Sequence, residues 1–259
     1  MRAWAMLTAA LALFFAAPVS AAEKEESEED VEFFYPLTLR RPVIETLFDF
    51  TARHQKGHDG RETELAPEIE LAVFPWWKVA VELPVLIQNP GHRTTLGGIG
   101  DMGIENSFML FKSHEHQIQL LGGFELKLPS GAKTLGGETA IEPFLVGGVR
   151  FGPVHVIADY GYEWTLHSPE SGPRSQELSA GLAAAYELTE RFLTLLELKT
   201  VRLVRGSDHD LKGKQQLYLT PGINFKFTDE VVLRYGVELP VRSVREFDYA
   251  LNLGLSWEF

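Results

Sequence analysis

The C-terminal stretch EFDYALNLGLSWEF alternates without a break. Phe247, Tyr249, Leu251, Leu253, Leu255, Trp257 and Phe259 fall on one parity, and Asp248, Ala250, Asn252, Gly254, Ser256 and Glu258 on the other. A β-strand sends these two sets to opposite faces. One face is therefore apolar and tipped with aromatic rings, while the other is small and polar. Such a strand must separate an apolar medium from a polar one.

The same pattern recurs toward the N-terminus. Val231, Leu233, Tyr235, Val237 and Leu239 oppose Glu230, Arg234, Gly236 and Glu238. Leu217, Leu219, Ile223, Phe225 and Phe227 oppose Gln216, Thr220, Gly222, Asn224 and Lys226. Val154, Val156, Ala158, Tyr160, Tyr162 and Trp164 oppose His155, Ile157, Asp159, Gly161 and Glu163. There are about twelve such segments between Arg41 and Phe259, and none holds a helical period. The connections alternate in length. Short turns fall at Pro75-Trp76, Ser113 to Glu115, Gly152-Pro153, Leu188 to Glu190 and Thr228-Asp229. Longer polar loops fall at HQKGHDGR, NPGHRTTLGG, PSGAKTLGGE, HSPESGPR and VRGSDHDLKGK. Short turns at one end and long loops at the other predict an all-β fold. That fold is a closed antiparallel up-and-down transmembrane β-barrel of about twelve strands, with periplasmic turns and extracellular loops. An even strand number brings both ends of the chain to the short-turn side.

Aromatic residues on the apolar parity gather beside the short turns: Trp77, Phe151, Tyr186, Phe192, Phe225, Phe227, Trp257 and Phe259. Rings in that position form a girdle at a membrane interface. The competing fold, a soluble barrel or sandwich with the apolar face inside, must explain long strands that carry charges on their other face. It must also explain an N-terminus, MRAWAMLTAALALFFAAPVSAA, with one Arg, a short apolar run and small residues at Val19 and Ala21. Residues 1–21 read as a secretory signal peptide, so the expected location is the bacterial outer membrane. The next stretch, EKEESEEDVEFF, is acidic and has little to bury. Residues 22–40 are therefore expected as a largely disordered periplasmic segment, with the barrel occupying 41–259. The chain has no cysteine, so it carries no disulfide framework. With 24 basic and 36 acidic residues its formal charge is −12, which argues against a nucleic-acid partner.

The terminal YALNLGLSWEF resembles the C-terminal signature of outer-membrane barrels, which implies that the barrel-insertion machinery reads Phe259. Further in, GGIGDMGIENSFMLF (Gly97 to Phe111) and FELKLPSG (Phe124 to Gly131) resemble an outer-membrane barrel family named for the meta-pathway of phenol degradation. That resemblance implies a transporter-like barrel and a small solute, hydrophobic or aromatic in character.

If lipid takes the apolar parity, the other parity lines the lumen. Glu82, Asp101, Glu105, Glu125, Glu142, Asp159, Glu197, Glu238 and Asp248 are then expected along a solute path, with Lys127, Arg150, His155, Lys199 and Arg234 among them. Acidic walls concentrate cations. Cross-strand ion pairing that merely holds the barrel shut accounts for many of these carboxylates equally well. VELPV occurs at Val81 to Val85 and again at Val237 to Val241, which puts Glu82 and Glu238 in similar settings before a strand-ending proline. The expected activity is passive or facilitated passage of a small solute, with no enzyme chemistry, metal or cofactor. A structural or adhesion barrel and a lipid-modifying enzyme are the alternatives. The enzyme requires a Ser–His pair on the outer wall, and the apolar parity offers none. Gly98-Ile99-Gly100-Asp101-Met102-Gly103 spells a nucleotide-loop pattern, but a strand rather than a helix follows it. His114-Glu115-His116 and Asp208-His209-Asp210 are weak metal candidates that lack a full ligand set.

Overall fold

The computed structural model describes Val31–Phe259, apart from residues 58–59, 92–93, 133–134, 136, 168–174 and 207–210. The expected signal peptide, the acidic run through Asp30 and the Asp208 to Asp210 cluster lie outside the described residues. The strands are β1 (Leu47–Gly57), β2 (Gly60–Phe74), β3 (Trp77–Glu82), β4 (Val85–Asn89), β5 (Leu96–Ile99), β6 (Met102–Ser113) and β7 (Ile118–Leu128), followed by β8 (Thr139–Phe151), β9 (Val154–His167), β10 (Gln176–Glu187), β11 (Phe192–Arg205), β12 (Gln215–Lys226), β13 (Val231–Pro240) and β14 (Tyr249–Glu258). Every strand pairs antiparallel with its neighbours, and β1 pairs with both β14 and β2, so the sheet closes on itself. The result is a closed twelve-strand antiparallel barrel, because β3 with β4 and β5 with β6 each make one pass.

The two interrupted passes break side by side. Pro84 has no N–H to give to a ladder, and Gly100 faces it across the break. The wall stays stitched there by Leu83 N–H donating to Pro67 O at 3.1 Å and Gly100 N–H donating to Pro84 O at 2.8 Å. The β1–β2 connection differs from expectation. The ladder runs to Gly57↔Gly60, so HQKGHDGR is mostly strand around a tight hairpin rather than a long loop.

Parity decides inside from outside as the pattern demands. Leu253 is 55% and Trp257 50% exposed, while Ala250 and Ser256 on the other parity are fully buried. The other girdle residues take the same outward face at the short-turn end: Phe151, Tyr186, Phe192, Phe227 and Phe259 are exposed, and Trp77 and Phe225 are partly so. Trp77 stacks on Trp76 and Phe108. An outer surface this apolar calls for a lipid solvent.

The interior is not the uniformly polar channel that the second parity suggests. In its short-turn half, inward-facing Leu121, Phe144, Val146, Ile157 and Leu195 form a dry core. They pack with Val31, Phe33, Phe34 and Val43, which belong to the segment before β1.

Candidate functional site

The segment from Val31 to Thr46 has no strand pairing and lies inside the barrel. This corrects the expectation that residues through 40 stay in the periplasm: from Val31 onward they are inside. The reason is visible in the residues. The acidic run gives way to Val31, Phe33, Phe34 and Tyr35, whose burial is favourable, and all four are less than a tenth exposed. Pro36 and Pro42 cannot complete a ladder.

The segment rises from the short-turn end, reaches mid-barrel and returns to Leu47. Phe33 and Phe34 meet the His155 ring edge-on, at centroid distances of 6.3 and 6.1 Å. His155 Nε2 also contacts Glu187 at 2.9 Å, and Arg150 reaches the same carboxylate at 3.2 Å. The Tyr35 hydroxyl donates to Glu258. At mid-depth Leu37 lies over Gly222 and Gly236, and Leu39 over Gly181. A Cβ at any of these three glycines would collide with the leucine above it, so a larger residue would force that leucine to shift.

Wall side chains satisfy the buried backbone of the segment, which has no ladder of its own. Glu197, with no exposed surface, accepts from Leu37 N–H at 2.6 Å and from Thr38 N–H at 2.9 Å, and its Oε2 also accepts from the Thr38 hydroxyl at 2.5 Å. Asn224 donates to Tyr35 O at 2.9 Å. Arg234 donates to Pro36 O at 3.0 Å while its other terminal nitrogen holds Asp49. Lys199 donates to Thr38 O at 3.4 Å.

Arg40 stands at the top of the segment among four wall carboxylates. Its Nε lies 3.5 Å from Glu105, Nη2 lies 3.4 Å from Glu125 and 3.1 Å from Glu142, and Nη1 lies 3.6 Å from Asp159. The guanidinium carbon is 4.3 Å from the centre of the Phe144 ring. Burial works against the charge, but Glu142, Asp159, Glu105 and Glu125 outweigh it and hold the proton more tightly than in a free arginine.

A cavity of about 480 Å³ runs alongside the segment, from Tyr35, Leu47 and Asp49 past Arg40 to Arg53 and Glu64. Its walls include Glu64, Glu68, Glu82 and Glu177, none of which makes an ion pair among the described residues, with Arg53 and Lys199 among the cations. Glu238 is bound to Arg53 at 3.0 Å and Lys127 to Glu163 at 3.6 Å. Glu82 and Glu238, expected as equivalents, therefore differ: one is committed to an arginine and the other faces the cavity.

Two expected lumen residues stand elsewhere. Asp101 is buried under the loop after β7, accepting from the N–H groups of Gly131 at 2.9 Å, Gly137 at 2.7 Å and Glu138 at 2.9 Å. It ties together the two stretches that carry the family resemblance, and its role is to hold that loop. Asp248 precedes β14 and pairs with Arg245 at 2.8 Å on the exposed long-loop side. His114 to His116 form a short turn, and no group of three or more acidic or histidine side chains among the described residues is placed to hold a metal.

Arg40, Arg41, Leu37 and Leu39 are the site residues that strand reasoning missed. The lumen-parity glycines 181, 222 and 236 were the available signal, since a wall that removes its side chains at one depth is making room for something.

No family model and no curated protein matches the sequence. Solved structures do. An outer membrane channel from Pseudomonas putida F1 aligns with a TM-score of 0.66 at 12% identity, over 88% of this chain and 100% of that one. The NanC porin aligns at 0.60 and 12%, over 82% and 100%. The KdgM porin aligns at 0.54 and 14%, over 82% and 99%, and has also been crystallised with oligogalacturonate. At this identity the likeness concerns architecture, and the chain has the fold of an outer-membrane β-barrel.

Proposed function

We propose that this chain resides in the bacterial outer membrane and passes a small solute through its lumen, with Val31–Thr46 acting as a displaceable stopper. One observation carries the reading. The wall is an unbroken ring, yet what packs into its short-turn half is a strandless segment held by side-chain contacts, joined to the wall covalently only at Leu47. Such a segment can leave without breaking a ladder bond. The acidic cavity beside it favours cationic or neutral solutes over anions. The solved channel and porin neighbours are consistent with passage, and the terminal Phe259 with delivery by the insertion machinery.

The chain contains no cysteine, so a lock can be engineered cleanly. In planar bilayers, Leu39→Cys with Gly181→Cys should be silent when oxidised and should conduct, preferring cations, when reduced. Equal current in both states would show that the segment is not the stopper. Silence in both states, without fatty-acid release from phospholipid, would favour a structural or adhesion barrel, and release would favour a lipid-modifying enzyme.

A second reading, an apolar solute leaving sideways, rests on the interrupted passes. β5 pairs in the sheet only with β4, and its inner side meets Leu135 and Ala132 from the loop that Asp101 holds. Asp101→Ala should speed uptake of an aromatic hydrocarbon into proteoliposomes if this route operates, and should leave it unchanged if the axial route alone is used.

A further inference from the structure

We propose that Glu105, Glu125, Glu142 and Asp159, with the Phe144 ring, form a recognition site for a guanidinium or primary ammonium group on the solute. In this view Arg40 occupies the site as a tethered stand-in. The proposal rests on the passage reading above and names the solute class that displaces the stopper.

The argument begins with register. Glu105 lies directly opposite Glu125 across β6 and β7, and Glu125 directly opposite Glu142 across β7 and β8. Like charges directly opposed across antiparallel strands destabilise a sheet. Three such carboxylates form a row that a cation makes tolerable, and Asp159 on β9, which stands opposite Val146 and off that line, joins them around the same guanidinium. Wall cations take part of this load, since Lys78 lies 3.8 Å from Glu105. Glu142 and Asp159 receive theirs from Arg40.

The second observation is the occupant. A planar guanidinium already sits there, donating to Glu125 and lying within 3.6 Å of all four carboxylates, with an aromatic face against its carbon. That combination of carboxylates and a ring is how proteins bind guanidinium and ammonium groups. The third is spare capacity. The Asp159 side chain is 10% exposed, and its Oδ1 is buried without a hydrogen-bond partner among the described residues. The arginine therefore leaves acceptor strength unused.

The occupant arrives on the segment that has to move, whereas the carboxylates stand on the wall. When the segment withdraws, the row faces the path with its main cation gone. A solute carrying the same group can take its place and, by doing so, oppose the return of Arg40. Arrival of cargo and removal of the stopper then become one exchange of cations at one set of oxygens. Neutral solutes of the same shape gain only the weaker neutral hydrogen bonds, and quaternary ammonium ions lack the N–H donors it matches.

The test uses the full chain in planar bilayers, with methylguanidinium as probe and urea as its neutral analogue. Native protein should open more often with methylguanidinium, reaching half-effect at a concentration about tenfold below that of urea, the margin between charged and neutral hydrogen bonds. Arg40→Ala should conduct without any probe, and methylguanidinium should now reduce its potassium current by filling the vacated row. Adding Glu142→Gln to Arg40→Ala should weaken that block. If Arg40→Ala does not assemble, the native chain alone decides. Equal responses to methylguanidinium and urea in native protein, or in a conducting Arg40→Ala, would overturn the recognition site while leaving passage intact. Silence of the reduced cysteine pair described above would instead overturn passage.

Discussion

The two ends of the lumen are built on different principles. In the short-turn half the wall meets a guest, and its charged groups are paired: Glu197 with Leu37 and Thr38, Arg234 with Asp49 and Pro36, Lys78 with Glu70. Between these polar anchors lies a dry cluster around Leu121, Ile157 and Phe144. Toward the long loops the segment ends, the wall faces the upper part of the cavity that runs beside it, and Glu64, Glu82 and Glu177 make no ion pair among the described residues. One half resembles the core of a folded domain and the other the mouth of a pore. Parity along the strands is the same in both, so parity sets which way a side chain points but not what it will find there.

That comparison presumes a wall with lipid on one side. The strongest way to break it is Leu253→Arg, which puts a charge on the outer face and should cost about 2 to 4 kcal/mol near the bilayer midplane. Folding yield into vesicles would show it, and normal yield would invert the barrel. Within the lumen, Glu197→Ala leaves the buried Leu37 and Thr38 N–H groups without their acceptor, at about 1 to 3 kcal/mol per unsatisfied group. Faster protease cleavage near Thr38 should follow, whereas Glu82→Gln in the other half should leave cleavage unchanged. Matching cleavage in the two variants would erase the distinction between the halves.

A smaller effect is expected of Asp101→Asn, which keeps an acceptor but loses the charge that gathers three N–H groups, about 1 kcal/mol in all. Protease sensitivity of the loop after β7 would report it. Asp248→Asn should be the mildest, within about 0.5 kcal/mol as for most surface changes, because its pair with Arg245 is half exposed. A thermal shift larger than that of Asp101→Asn would show that Asp248 contributes more than an exposed ion pair.

The wall was legible because lipid enforces strict alternation; each of the girdle residues from Trp77 to Phe259 stands on the face its parity assigns. The stopper was not, because a segment without period leaves no periodic trace. The acidic residues before Val31 masked the change of character at Phe33, Phe34 and Tyr35. Two features of the wall nonetheless pointed to a guest. Glycines 181, 222 and 236 share the lumen parity, and the acidic excess on that parity exceeds what the wall's own lysines and arginines can neutralise. Ile157, apolar on the polar side of β9, was a third sign that part of the interior is dry. Asp101, expected along the lumen, stands between β5 and β6 and is held by N–H groups of the loop after β7, and spacing alone does not show such a meeting.

The cord between Arg40 and the wall is short, since β1 begins at Leu47. A segment on so brief a leash cannot be diluted away, and its effective concentration at its own berth is in the millimolar range or above. Reclosure is therefore unimolecular and fast, and any free rival must be abundant to hold the berth. On the proposed exchange the molecule would be a threshold device: sparse cargo would be refused by arithmetic alone, and conduction would begin only once the outside supply competes with a neighbour that never leaves.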